Sequence, residues 1–249
     1  MANKYPTLKN APITEALIDI RVKLADSFDV NRLKGIYNTQ EYPQQKERRR
    51  WEEKFEFRKG CPPISDPHSD IIEGFHYISS DKKQIVIAGL NGFIFSRLHP
   101  YEKWDIFRND AYRLWQIYTK IAQPELITRV ALRFINRIQL PSQQMNLDEY
   151  FNASPIVPEG LPQGLSSFLT RLVIPIPSPE GVIAILTHAL EQPVRPKFLP
   201  EVILDIDVFK ETIKGFNEKE AWELIDTLRG LKNDIFFKSI NDKTKEMFK

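Results

Sequence analysis

The sequence predicts an α+β fold of antiparallel sheets with long amphipathic helices, arranged as two similarly built lobes. Three observations carry that expectation. Short β-branched and aromatic runs recur between turn residues, as in hairpins. Two segments, one in each half, repeat apolar residues at three- and four-residue steps, as in helices. Between them lies a proline-rich, nearly uncharged stretch that reads as a connection. A length of 249 residues suits one large domain or two small ones.

Ile13 to Val22 opens the chain as a strand after the turn-favouring Asn10-Ala11-Pro12. Ile18, Ile20 and Val22 share one face, with Asp19 and Arg21 on the other. Asp29 is placed to cap a short helix carrying Val30, Leu33, Ile36 and Tyr37. Lys46 to Lys59 holds seven basic and four acidic residues, too mixed for a nucleic-acid-binding block. It reads as an exposed helix end or loop that runs into a half-buried strand around Phe55 and Phe57, ended by Cys61-Pro62-Pro63.

Phe75 to Leu98 predicts a three-stranded meander, because Asn91-Gly92 between apolar runs favours the positive φ of a tight hairpin. Trp104, Phe107, Ala111, Leu114, Tyr118 and Ile121 predict a helix over 103–122, stopped by Pro124. Ile127 to Leu140 follows as a strand with Val130, Leu132, Phe134 and Ile138 on one face and Arg129, Arg133 and Arg137 on the other.

Nine of the 18 prolines fall between Pro155 and Pro200, and Tyr150 to Leu190 has only Glu159, Arg171 and Glu180 as charged residues. The domain expectation is therefore a lobe over 1–140, a connection over 141–166 with a short helix near Leu147 to Phe151, and a lobe over 167–249. Phe168 to Ile176, Val182 to Leu190 and Val202 to Phe209 supply its strands. Asn217 with Glu220 starts its helix, along which Ala221, Trp222, Ile225, Leu228 and Leu231 recur. The two halves share a plan that suggests a distant internal duplication.

Net charge is +2, but residues 1–140 carry +6 and the remainder −4. Such asymmetry suits a polyanion-facing lobe or two mutually attracting lobes. One cysteine, Cys61, excludes an intramolecular disulfide and fits a reducing compartment. No run approaches the roughly 20 apolar residues of a membrane span, and the first ten residues lack a signal-peptide core, so no membrane partner and a cytoplasmic location are expected.

Motifs for common chemistries are missing. There is no glycine-rich phosphate loop, no Gly-x-Ser-x-Gly elbow, and no metal-binding spacing among His68, His76, His99 and His188. No catalytic residue and no cofactor are assigned. His188, in an apolar strand, reads as a hydrogen-bonded core histidine, and Cys61 as a turn residue. Asp205 and Asp207 lie two apart in a strand and form a weak metal candidate, with ion pairing as the simpler account. Arg48, Arg49, Arg50 and Trp51, together with Arg129, Arg133 and Arg137, form the candidate phosphate- or nucleic-acid-binding set, with neighbouring acids as the competing explanation.

Three stretches together carry a resemblance: Asn10 to Ala16, Arg129 to Ile138, and Leu231 to Ile240. They resemble a sporadically distributed prokaryotic family of uncharacterised proteins of about this length, opening with a Pro-Ile-x-Glu-Ala strand. That resemblance implies a cytoplasmic protein of patchy occurrence, a distribution typical of defence or toxin-antitoxin cargo. The expected function is a non-enzymatic protein-interaction, accessory or regulatory factor whose partner is another protein. The alternative is an RNA- or nucleotide-binding module on an arginine-lined sheet face, and a weaker one a metal-dependent enzyme built on Asp205 and Asp207.

Overall fold

The computed structural model describes residues 5–6, 8–37, 39–52, 55–56, 64–65, 69–141, 146–191 and 199–249, with side chains between 51 and 70 undescribed. In chain order the strands and helices are β1 (Ile13–Lys23), β2 (Gln44–Glu52), β3 (Phe55–Glu56), β4 (Ile64–Ser65), β5 (Ser69–Ile78), β6 (Gln84–Gly89), β7 (Gly92–Leu98), α1 (Trp104–Ala122), β8 (Leu126–Gln139), β9 (Phe168–Ile176), β10 (Val182–Glu191), β11 (Glu201–Phe216), α2 (Glu218–Ser239) and α3 (Asp242–Glu246). Single 3-10 turns occur at Val30–Leu33 and Leu147–Glu149.

The two-lobed α+β arrangement is overturned. Nine strands form one antiparallel sheet in the order β2-β5-β6-β7-β1-β8-β11-β10-β9. The three helices among the described residues, of 19, 22 and 5 residues, are accessories to that sheet and found no separate lobes. The reason lies in β8, which pairs with β1 along one edge and with β11 along the other. Strands from the C-terminal part therefore extend the sheet that the N-terminal part begins. The proline-rich stretch after Pro141 is a detour between two strands of this sheet.

Several local expectations also change. The segment after Asp29 makes only one 3-10 turn, with the Asp29 carboxylate accepting from the Asn31 N–H at 2.9 Å. The basic block from Lys46 to Glu52 is neither helix end nor loop but the edge strand β2, where long charged side chains are tolerated and discourage further pairing. Phe55 and Glu56 pair with Ser65 and Ile64 in a separate two-stranded ribbon. Lys54, Phe57, Cys61 and His68 lie outside the described residues.

Cross-strand partners point to the same face, so the register sorts the side chains. Ile18 faces Phe95 and Leu132, and Leu132 faces Val208. All four are buried beneath the helices. α1 lies against β7 and the Val30–Leu33 turn, while α2 lies across β8 and β11. Tyrosines tie the layers together: Tyr118 donates to the Gly89 carbonyl at 2.9 Å, and Tyr37 to the Leu114 carbonyl at 2.6 Å. Asn217 and Glu220 close a capping box at the start of α2, with the Asn217 side chain accepting from the Glu220 N–H at 2.9 Å. No helix is long and apolar enough to cross a membrane among the described residues.

Gly92 is fixed by two independent demands. Its φ is +138°, and a Cβ there would lie 2.1 Å from the Ile20 carbonyl oxygen of β1. Replacing it with alanine therefore strains the hairpin and forces β7 away from the central strand. Gly92→Ala should lower unfolding free energy by more than about 2 kcal/mol, read from urea unfolding.

Candidate functional site

The face of the sheet opposite the helices carries the predicted arginines. Arg129, Arg133 and Arg137 project there from β8, and β11 brings acids against them. Arg129 is nearly buried; it contacts Asp19, reaches Asp207 at 3.3 Å and Glu211 at 3.1 Å, and lies over the Phe209 ring at 4.5 Å. Arg133 holds Asp205 through both carboxylate oxygens at 2.8 and 2.5 Å. Arg137 spans Glu191 at 3.0 Å and Glu201 at 3.2 Å.

The basic triplet is held in the same way. Arg48 and Arg50 approach Glu73 at 3.9 and 3.2 Å, and Arg49 donates to Glu47 at 2.8 Å. The backbone of Trp51 lies in β2, but its side chain is not among the described ones. The structure thus gathers most of the predicted cations on one surface, each beside a carboxylate. Asp205 and Asp207, the metal candidates, are the counter-ions of Arg133 and Arg129. Burial raises the Asp207 and Asp19 carboxyls above their usual range against the pull of Arg129. No group of three or more metal-capable side chains occurs among the described residues. His188 is a core histidine, its Nδ1 3.1 Å from the Ala153 carbonyl and its ring between Phe151 and Phe168.

Beneath the helices lies a different arrangement, a cavity of about 290 Å³. Its floor is β8, where Phe134 and Asn136 occupy alternate positions facing α2. Tyr101 and Trp104 enter from the approach to α1, and the N-terminal segment adds Tyr5, stacked on Phe237 of α2 with centroids 4.4 Å apart. Asn136 is buried, its amide donating to the Leu204 carbonyl of β11 at 2.8 Å, which ties the floor to the next strand.

α2 supplies the charge. Its buried stripe runs Ala221, Ile225, Leu228, Lys232, Phe236, so a lysine stands where the pattern calls for an apolar residue. Lys232 Nζ lies 3.9 Å from the centre of the Phe134 ring. Burial, and secondarily the charge of Arg229, push its pKa down to about 7. Arg229 sits one turn earlier, its guanidinium 5.1 Å from the Trp104 ring centre. Among the described residues neither cation comes within ion-pair distance of a carboxylate. Asp226 is engaged by Arg108 at 2.9 Å and by the Trp104 indole N–H at 3.3 Å, and Glu102 by Arg97 at 2.9 Å.

The sequence reading passed over Lys232 and Arg229. The available signal was the interruption of an otherwise apolar stripe by lysine. A cation–π contact, worth about 2 kcal/mol or somewhat more when desolvated, offsets only part of the cost of a buried ammonium. The cavity thus sets two cations, neither within ion-pair distance of a carboxylate among the described residues, against aromatic walls.

A second exposed feature is the edge strand β9. Leu169, Leu172 and Val173 are 74%, 45% and 54% exposed, Arg171 is the strand's only charge, and no described strand covers its outer side. Edge strands of this length are usually protected by charge or proline, and here only Arg171 and Pro175 serve.

The buried lysine makes stability depend on pH with a definite sign. An unfolded lysine holds its proton to about 10.5, whereas Lys232 releases it at about 7, so between these values the unfolded chain binds more protons and stability rises with pH. Lys232→Met should stabilise the fold most below about pH 7 and least above about pH 10, measured as urea midpoints beside the unaltered chain.

No protein-family model matches the chain, nor does any curated protein, so a functional reading rests on this geometry.

Proposed function

We propose that the protein binds a small organic anion, a carboxylate with an apolar or aromatic body, in the cavity between β8 and α2. The observation that carries this reading is the pair Arg229 and Lys232, one turn apart on α2, both without a carboxylate partner among the described residues and both lining an aromatic pocket. A carboxylate there would meet two donors in a low-dielectric setting, while Phe134, Trp104 and Tyr101 would cover its body. A volume of about 290 Å³ suits a ligand at the small end of the range that proteins enclose.

Benzoate is a suitable probe. Calorimetry should register binding to the unaltered chain, weakened roughly 10- to 100-fold by Arg229→Ala or Lys232→Met, since each removes one charge-assisted contact. Affinity should fall as pH rises above about 7, because Lys232 must be protonated to contribute its charge. Equal affinity in both variants, or no binding of benzoate or phenylacetate to the unaltered chain, would overturn the proposal.

A second reading, a non-enzymatic protein-interaction factor, draws support from β9. An edge of nine residues, unpaired among the described strands and carrying three exposed aliphatic side chains, is suited to adding a strand from another protein. Leu169→Lys combined with Val173→Lys should then abolish a stoichiometric partner recovered from the native host, without changing the variant's circular dichroism. Recovery of the same partner with both chains would defeat it. The nucleic-acid reading has weaker support, since Arg48, Arg49, Arg50, Arg129, Arg133 and Arg137 would each have to exchange an acidic neighbour for a phosphate.

A further inference from the structure

We infer that Lys232 is a nucleophile that forms an imine with the carbonyl carbon of a small α-oxo acid whose carboxylate Arg229 holds. This rests on the anion-binding reading and adds a covalent step to it. The first support is the setting of the amine. A lysine kept only for its charge would be paired or exposed, yet Lys232 is 8% exposed, makes no ion pair among the described residues, and has the face of Phe134 on one side and the cavity on the other. An acid at ion-pair distance would hold the proton on nitrogen. Without one, the lone pair is available near neutral pH, which the depressed pKa of this group reflects.

The second support is the spacing. Residues three apart on a helix share a face with their Cβ atoms roughly 5–6 Å apart, so Arg229 and Lys232 address one small ligand together. In an α-oxo acid the carboxylate and the electrophilic carbon are directly bonded. A molecule anchored at the guanidinium thus carries its carbonyl towards the amine. An aldehyde without a carboxylate has no such anchor, and a simple carboxylate has no electrophile.

The step balances without a redox partner. The neutral Nζ lone pair adds to the carbonyl carbon as the C=O π pair moves to oxygen. Proton transfer from nitrogen to that oxygen gives a carbinolamine, which expels water to leave the C=N bond. The titratable groups around the cavity are Arg229, Tyr101, Tyr5, Lys103, Asp105 and Glu102, the last engaged by Arg97. Burial raises the Tyr101 phenol well above its ordinary value, so it remains protonated as the step proceeds.

Glyoxylate with sodium cyanoborohydride tests this on the full chain near neutral pH, because the hydride reduces an imine to a stable secondary amine that peptide mass mapping locates. Lys232 should be labelled roughly tenfold or more ahead of the other lysines, since its neutral form is the more populated. Arg229→Ala, which leaves the amine in place, should cut that labelling about tenfold, whereas acetaldehyde, which has no carboxylate for the guanidinium, should label Lys232 equally in the variant and the unaltered chain. Benzoate should compete with the glyoxylate label. Labelling spread evenly over the lysines would overturn the inference. If benzoate still binds in that case, the anion-binding reading survives; if neither benzoate nor glyoxylate engages the cavity, both fall. Lys232→Met, checked for folding by circular dichroism, shows which adduct is lost.

Discussion

The hydrogen-bonding of β8 to two partners at once is the constraint on which the rest of the molecule depends. β1 joins it along one side and β11 along the other, over most of its 14 residues. Without the second pairing, β9, β10 and β11 would be a separate sheet, and α2 would have no surface spanning two strands. Because side chains alternate along a strand, this pairing also fixes both faces at once. Arg129, Arg133 and Arg137 meet the acids of β11 on the open side, while Leu132, Phe134 and Asn136 face the helices. The charge ladder and the cavity floor are two sides of one strand.

The cations of this protein fall into two populations with opposite energetics. On the open face, exposed pairs such as Arg137 with Glu191 and Glu201 are worth roughly 0–1 kcal/mol each, and their removal would leave the fold largely intact. Arg129 is nearly enclosed, and its acids compensate it. Lys232 is buried, and among the described residues only an aromatic face compensates its charge. Folds keep such a group where local stability has yielded to some other requirement, which gives the cavity precedence over the arginine rows as a place to look for function.

Local features were well written in the sequence. Asn91-Gly92 marks the hairpin between β6 and β7, and Asn217 with Glu220 marks the start of α2, because these depend on residues within a few positions of one another. The partnership of β8 with β11 was not, since it joins strands separated by the whole proline-rich detour, and composition shows where a chain leaves regular structure but not where the next strand docks. That is why two lobes were expected and one sheet was found. The arginine row was correctly placed on one face of β8; what the pattern could not supply was the register that sets Asp205 and Asp207 beside it. Lys232 was hidden for a related reason. An apolar stripe is read by its hydrophobic members, so its one charged member was passed over.

The seat of α2 has a consequence for how the parts of the molecule influence one another. The helix lies across β8 and β11, and the cavity opens between that helix and β8, with the Asn136 amide reaching into β11 from its floor. A molecule lodged there touches the seam where the late strands join the early ones. Whatever occupies the cavity and favours the folded chain contributes its binding free energy to holding that seam closed. Occupancy would then act as a clasp, slowing the opening of strands whose own side chains the ligand never meets.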